Sequence, residues 1–150
     1  MAESKYAKYV KKELGRNQPM PARPVTEVRA VSMSPELLKG IAELENVNLN
    51  FNFMGVVAPH MLGDPPHKHD CDELLFFIAS EGTDSPDLGG EVEFALGDDW
   101  EKHTITTSCI VSLPAGVQHC PVYVKKVTKP FYFGHILLAG KYGSNATPAT

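Results

Sequence analysis

The chain has 150 residues, 43% hydrophobic and 21% charged, with a net charge of -4. That is the size and balance of one globular domain able to bury roughly two-thirds of the surface its unfolded chain exposes. Nothing basic in this composition invites nucleic acid, and the longest wholly apolar run, LLFFIA, is far below the ~20 residues that span a bilayer. The expected partner is a small-molecule substrate, with no nucleic acid and no membrane. The start, MAESKYAKYVKKEL, has lysines but no apolar signal region. Cys71, Cys109 and Cys120 cannot all pair within one chain and match no CxxC spacing. Reduced thiols, and hence a cytoplasmic protein, are expected.

Along the chain, residues 1 to 24 read as an arm, lysine-rich and then broken by the prolines of NQPMPARP. TEVRAVSM alternates like a first strand. In SPELLKGIAEL, Ser34 is placed to cap a helix, Pro35 to open it, and Leu37, Leu38, Ile41 and Leu44 to form its apolar stripe, giving one short amphipathic helix over 35 to 44. From Asn46 the period changes to two. NVNLNFNF puts asparagines on one face and Val47, Leu49, Phe51 and Phe53 on the other, the pattern of a half-buried strand. Further strands are expected at ELLFFIAS, GEVEFAL, KHTITTSCIVSL, PVYVKKV and PFYFGHILLA, separated by turn-rich pieces such as EGTDSPDLGG and PAGVQ. Many short strands with a single helix predict an all-β barrel or sandwich.

Titratable residues gather at the mouth of the most apolar strand. In HKHDCDE, His67 and His69 are two apart and so share a face of an extended chain, and Glu73 follows four residues later. Further on, SLPAGVQHCPVY sets a Pro-x-Gly turn before His119. Together these segments resemble the two motifs of the cupin superfamily, G-x5-HxH-x3,4-E-x6-G and G-x5-PxG-x2-H-x3-N. The resemblance covers roughly residues 50 to 138. It departs from the pattern at four places: Gly63 is close to the first histidine, Gly82 arrives late after Glu73, Ser108 replaces a leading glycine, and Tyr123 stands where asparagine is common. None of these is a ligand position.

The resemblance implies a double-stranded β-helix (cupin, or jelly-roll) barrel over residues 46–140. It would be preceded by the arm, first strand and short helix (1–45) and followed by a flexible C-terminal tail (141–150). It implies one divalent metal held by His67, His69, Glu73 and His119. Imidazoles with a carboxylate suit Fe(II) first, then Mn(II), Zn(II), Ni(II), Co(II) or Cu(II), with no thiolate for a softer ion. Vacant positions on such an ion suit a hydroxy or keto acid, a diketone or a phenol. A dioxygenase is therefore the first functional expectation. The alternatives are a redox-neutral lyase, decarboxylase or isomerase, and a non-catalytic metal-assisted binding protein.

Strand parity fills in the rest of the expected pocket. Tyr123, four residues beyond His119, should face inward as a proton donor to substrate or as core. Phe51, Phe53, Phe77, Phe131 and Phe133 should form an apolar wall that serves equally as barrel core, and His135 should look inward. Cys120 has the opposite parity to His119 and should point away. Cys71, in the turn between His69 and Glu73, would show a chemical role by a depressed pKa. ELLFFIA is apolar on both faces, and a barrel interior covers only one of them, so either the arm and helix or a second subunit should cover the other. The resemblance supports the second, and a homodimer with the arm of residues 1 to 24 crossing between subunits is expected.

Overall fold

In a computed structural model of the chain, the residues described are 5–10, 27–33, 50–62, 65–82, 86–138 and 145–146. The helix expected over 35 to 44 and most of the arm lie outside them, apart from a single 3-10 turn at Ala7–Tyr9. Among the described residues there are eleven strands. They are β1 Glu27–Met33, β2 Asn50–Val56, β3 His60–Leu62, β4 His67–Lys68, β5 Glu73–Ala79, β6 Asp87–Leu96, β7 Glu101–Thr107, β8 Cys109–Leu113, β9 His119–Val127, β10 Phe131–Leu137 and β11 Asn145–Ala146. One antiparallel sheet has the order β1-β2-β10-β5-β8. The other runs β11-β4-β9-β6-β7, with β3 also paired to β9. Asn145–Ala146, in the segment read as a flexible tail, pairs with β4.

Alternation along each strand sends one set of side chains between the sheets. Val56, Phe77, Val92, Phe94, Val122, Val124 and Phe131 are fully buried there, and the Phe77 and Phe133 rings meet at 5.1 Å between centroids. The core fills the body of the barrel and leaves the polar cluster described below at one end.

Two readings of the sequence are corrected. KHTITTSCIVSL is not one strand. It breaks at Ser108, whose N–H donates to the Pro86 carbonyl (2.9 Å) and whose hydroxyl accepts from the Ala79 N–H (3.0 Å), and the halves β7 and β8 join different sheets. The described part of NVNLNFNF has its faces the other way round. Asn50, Met54 and Val56 are buried on the inner face, whereas Phe51 and Phe53 lie outside in a ring cluster with Phe76 and Tyr132. Phe51 and Phe53 are therefore no part of an interior wall. Period-two alternation defines two faces but not which one turns inward, and here the outer face is the aromatic one. Gly134, paired with both Phe53 and Phe76, makes this possible: a Cβ at that position would collide with the Phe76 ring and the Asn52 carbonyl oxygen.

Candidate metal centre

His67 opens the two-residue strand β4, His69 follows it in the loop, Glu73 begins β5 and His119 begins β9. His67 and His119 are direct cross-strand partners, with ring centroids 4.4 Å apart. The loop carrying His69 is clasped to the Pro-x-Gly turn. The Gly116 N–H donates to the His69 carbonyl (2.8 Å) and the Ala115 N–H to the Asp72 carboxylate (2.9 Å), while Val117 N–H closes the turn on Pro114 (3.2 Å). Gly116 has φ +84, a conformation that a side chain would disfavour. The two motifs, more than forty residues apart in sequence, thus lock into one another through backbone groups.

All four side chains are buried, none more than 5% exposed. Oε2 of Glu73 stands 3.0 Å from Nε2 of His119 and 3.6 Å from Nε2 of His69. These three residues offer ligand atoms all within 4.8 Å of one another. Nδ1 of His119 points at the Val117 carbonyl (3.0 Å) and Nδ1 of His67 at the Pro65 carbonyl (2.7 Å). Those bonds place a proton on each Nδ1, so that in the neutral rings the Nε2 atoms carry lone pairs. A buried carboxylate oxygen faced by imidazole lone pairs is satisfied by a shared proton or by a cation. The close approach of His119 does not give Oε2 an aligned hydrogen bond, which favours the cation. The residues present therefore fit a divalent metal of the nitrogen and oxygen type.

The electrostatics in the absence of metal follow the same geometry. Burial pushes the Glu73 carboxyl up, but His119 beside it and the charges of His69 and His135 outweigh this, so it sits below the usual carboxylate range. Burial pushes His119 down, but Glu73 and the Val117 carbonyl hold it above the ordinary 6.5. The Glu73 contribution to metal-free stability is present above its unfolded pKa and lost as pH falls through the lower folded value. The His119 contribution is present below 6.5 and lost as pH rises through the higher folded value. Metal uptake requires the His119 lone pair, so near pH 6.5 it should release a proton, and affinity should fall as pH falls. Calorimetric titrations in two buffers of different ionisation enthalpy should show that release shrinking as pH is raised. Uptake without proton release at pH 6.5 would contradict it.

The remaining expected site residues are placed as follows. Phe77 and Phe133 face the interior as core. His135 faces inward on β10, paired with Asn52 and Leu75, and its Nε2 lies 3.4 Å from Asn50 Oδ1. Tyr123 does not face the pocket: it is 43% exposed on the outer side of β9. The reason is a shift in the β6–β9 register, where Phe94 pairs with Val122 but Leu96 with His119, so that β9 carries one residue more than β6 and the parity counted from His119 reverses. The same irregularity, with Cys120 at φ +70, turns Cys120 inward. Expected to point away, it is 6% exposed, and its sulphur lies within 4.8 Å of ligand atoms of both His67 and His119. Cys71 is half-buried. Burial and the neighbouring Glu73, Asp72 and Asp70 push its thiol up, the opposite of a reactive thiolate.

Sequence reasoning also missed the inner row of Asn50 and Asn52. The row Asn50–Leu137–Glu73 crosses the sheet beside the row Asn52–His135–Leu75, which puts polar groups on the wall next to Glu73.

No family model matches the chain, and no curated protein matches it. Solved structures do. Peruvianin-I, a cysteine peptidase from Thevetia peruviana latex, aligns with a TM-score of 0.59 at 11% identity, over 98% of this chain and 82% of its own. A recombinant oxalate oxidase in complex with glycolate aligns with a TM-score of 0.57 at 11% identity, over 91% of this chain, which spans 62% of the oxidase. At such identity the likeness is one of fold. The two antiparallel sheets form a cupin jelly-roll barrel. With the buried histidine and glutamate cluster at its end, the chain is a cupin-type barrel with a candidate metal centre.

Proposed function

We propose that this is a metal-dependent cupin enzyme in which His67, His69, Glu73 and His119 hold one divalent cation, Fe(II) in the first instance. Its reaction is the dioxygenation of a small oxygen-chelating acid, diketone or phenol. The observation that carries the reading is the convergence of His69, Glu73 and His119 in a buried site where Glu73 Oε2 has no aligned hydrogen bond. A bound cation supplies Lewis acidity and, if it is iron, redox chemistry with dioxygen. The chain's own residues do the rest. The carbonyls of Val117 and Pro65 orient the imidazoles, and the clasp between His69 and Gly116 holds the two motifs in register. The inner row of Asn50, Asn52 and His135 gives the site a polar wall suited to an oxygen-rich substrate rather than a hydrocarbon. The fold likeness to an oxalate oxidase solved with glycolate supports a small organic acid as the substrate class.

The test is to reconstitute the protein with Fe(II) without air and then follow oxygen uptake with hydroxy acids, keto acids, diketones and phenols. Dioxygenation predicts oxygen consumed in step with substrate, and none with His119→Ala. Substrate conversion at an unchanged rate without oxygen would replace this reading with the redox-neutral one.

A further inference from the structure

His67 stands apart from the other ligands. His69, Glu73 and His119 bring their ligand atoms together as one group, whereas His67 groups with His119 and Cys120, and all five residues are buried. Two ligand sets therefore share His119. One is of nitrogen and oxygen; the other, His67, His119 and Cys120, is of nitrogen and sulphur. Cys120 reaches this place against its expected strand parity, on a residue in the left-handed region, a conformation that a non-glycine residue adopts only where its surroundings hold it.

We propose that Cys120 is a further ligand of the same cation, its sulphur joining His67 and His119, so that the site takes borderline transition cations, Zn(II) and Co(II) among them. This rests on the cluster being a metal site and extends it to a donor set that takes softer ions than imidazole and carboxylate alone. The thiol proton leaves to solvent as the metal–sulphur bond forms, with no change of oxidation state. Zn(II) or Co(II) would then be favoured over Mn(II), and Cys120 is the residue that sets the preference.

Co(II) added to the metal-stripped, thiol-reduced full chain tests this. A bound Co(II) shows visible ligand-field bands, and a thiolate ligand adds an intense near-ultraviolet charge-transfer band. The wild type is expected to show both, Cys71→Ser to keep both, and Cys120→Ser to keep the ligand-field bands and lose the charge-transfer band. In competition, the Zn(II) over Mn(II) preference should narrow by about 10-fold or more in Cys120→Ser. Ligand-field bands without a charge-transfer band in the wild type would overturn the inference and leave the metal site standing; so would a band that survives in Cys120→Ser. No Co(II) binding at all would overturn both. The wild-type spectrum decides even if Cys120→Ser does not fold.

Discussion

Glu73→Ala should weaken divalent metal binding by at least about 100-fold, while far-ultraviolet circular dichroism stays that of a β protein. The carboxylate is the one anionic group of the nitrogen and oxygen set and faces two imidazoles at once, His119 at 3.0 Å and His69 at 3.6 Å. Its removal takes away both the negative charge that offsets the cation and the group that draws the two rings together. Without metal the same substitution should lower the His119 pKa, because Glu73, together with the Val117 carbonyl, raises it. Equilibrium dialysis against Mn(II) or Zn(II), with histidine titration by NMR on the stripped protein, measures both. Unchanged metal affinity in Glu73→Ala would remove the carboxylate from the ligand set.

Phe77→Ala should destabilise the fold by about 3–5 kcal/mol. Phe77 is fully buried at the centre of β5, between β10 and β8, with the Phe133 ring 5.1 Å away. The core around it is built largely from paired strands of both sheets, so the cavity cannot collapse without moving a sheet. Urea unfolding of the metal-free protein checks the magnitude. Phe51→Ala, on the outer face, should cost clearly less; equal losses would mean that the assignment of inner and outer faces is wrong.

The strands were legible in the sequence wherever apolar residues run on or alternate over several positions, as at β5, β9 and β10. The two-residue strands β4 and β11 were not legible, being too short to carry a period and held by partners remote in sequence. The ligand candidates were legible because the spacing of two residues between His67 and His69, and the Pro-x-Gly turn before His119, are local features. What parity could not carry was anything beyond a bulge. Counting along β9 from His119 placed Tyr123 inside and Cys120 outside, and one extra residue relative to β6 reversed both. The choice between the faces of β2 was similarly closed to sequence. It depends on the outer stack of Phe51, Phe53, Phe76 and Tyr132 over Gly134, formed by strands more than twenty residues apart.

Elemental analysis of freshly purified wild-type protein, and of the same protein stripped and reconstituted without air, is the most direct measurement. A metal centre at His67, His69, Glu73 and His119 predicts one transition-metal ion per chain, lost in Glu73→Ala and in His119→Ala. A folded wild-type protein that retains no metal, and takes up none when offered Fe(II), Mn(II), Co(II) and Zn(II) in turn, would contradict it.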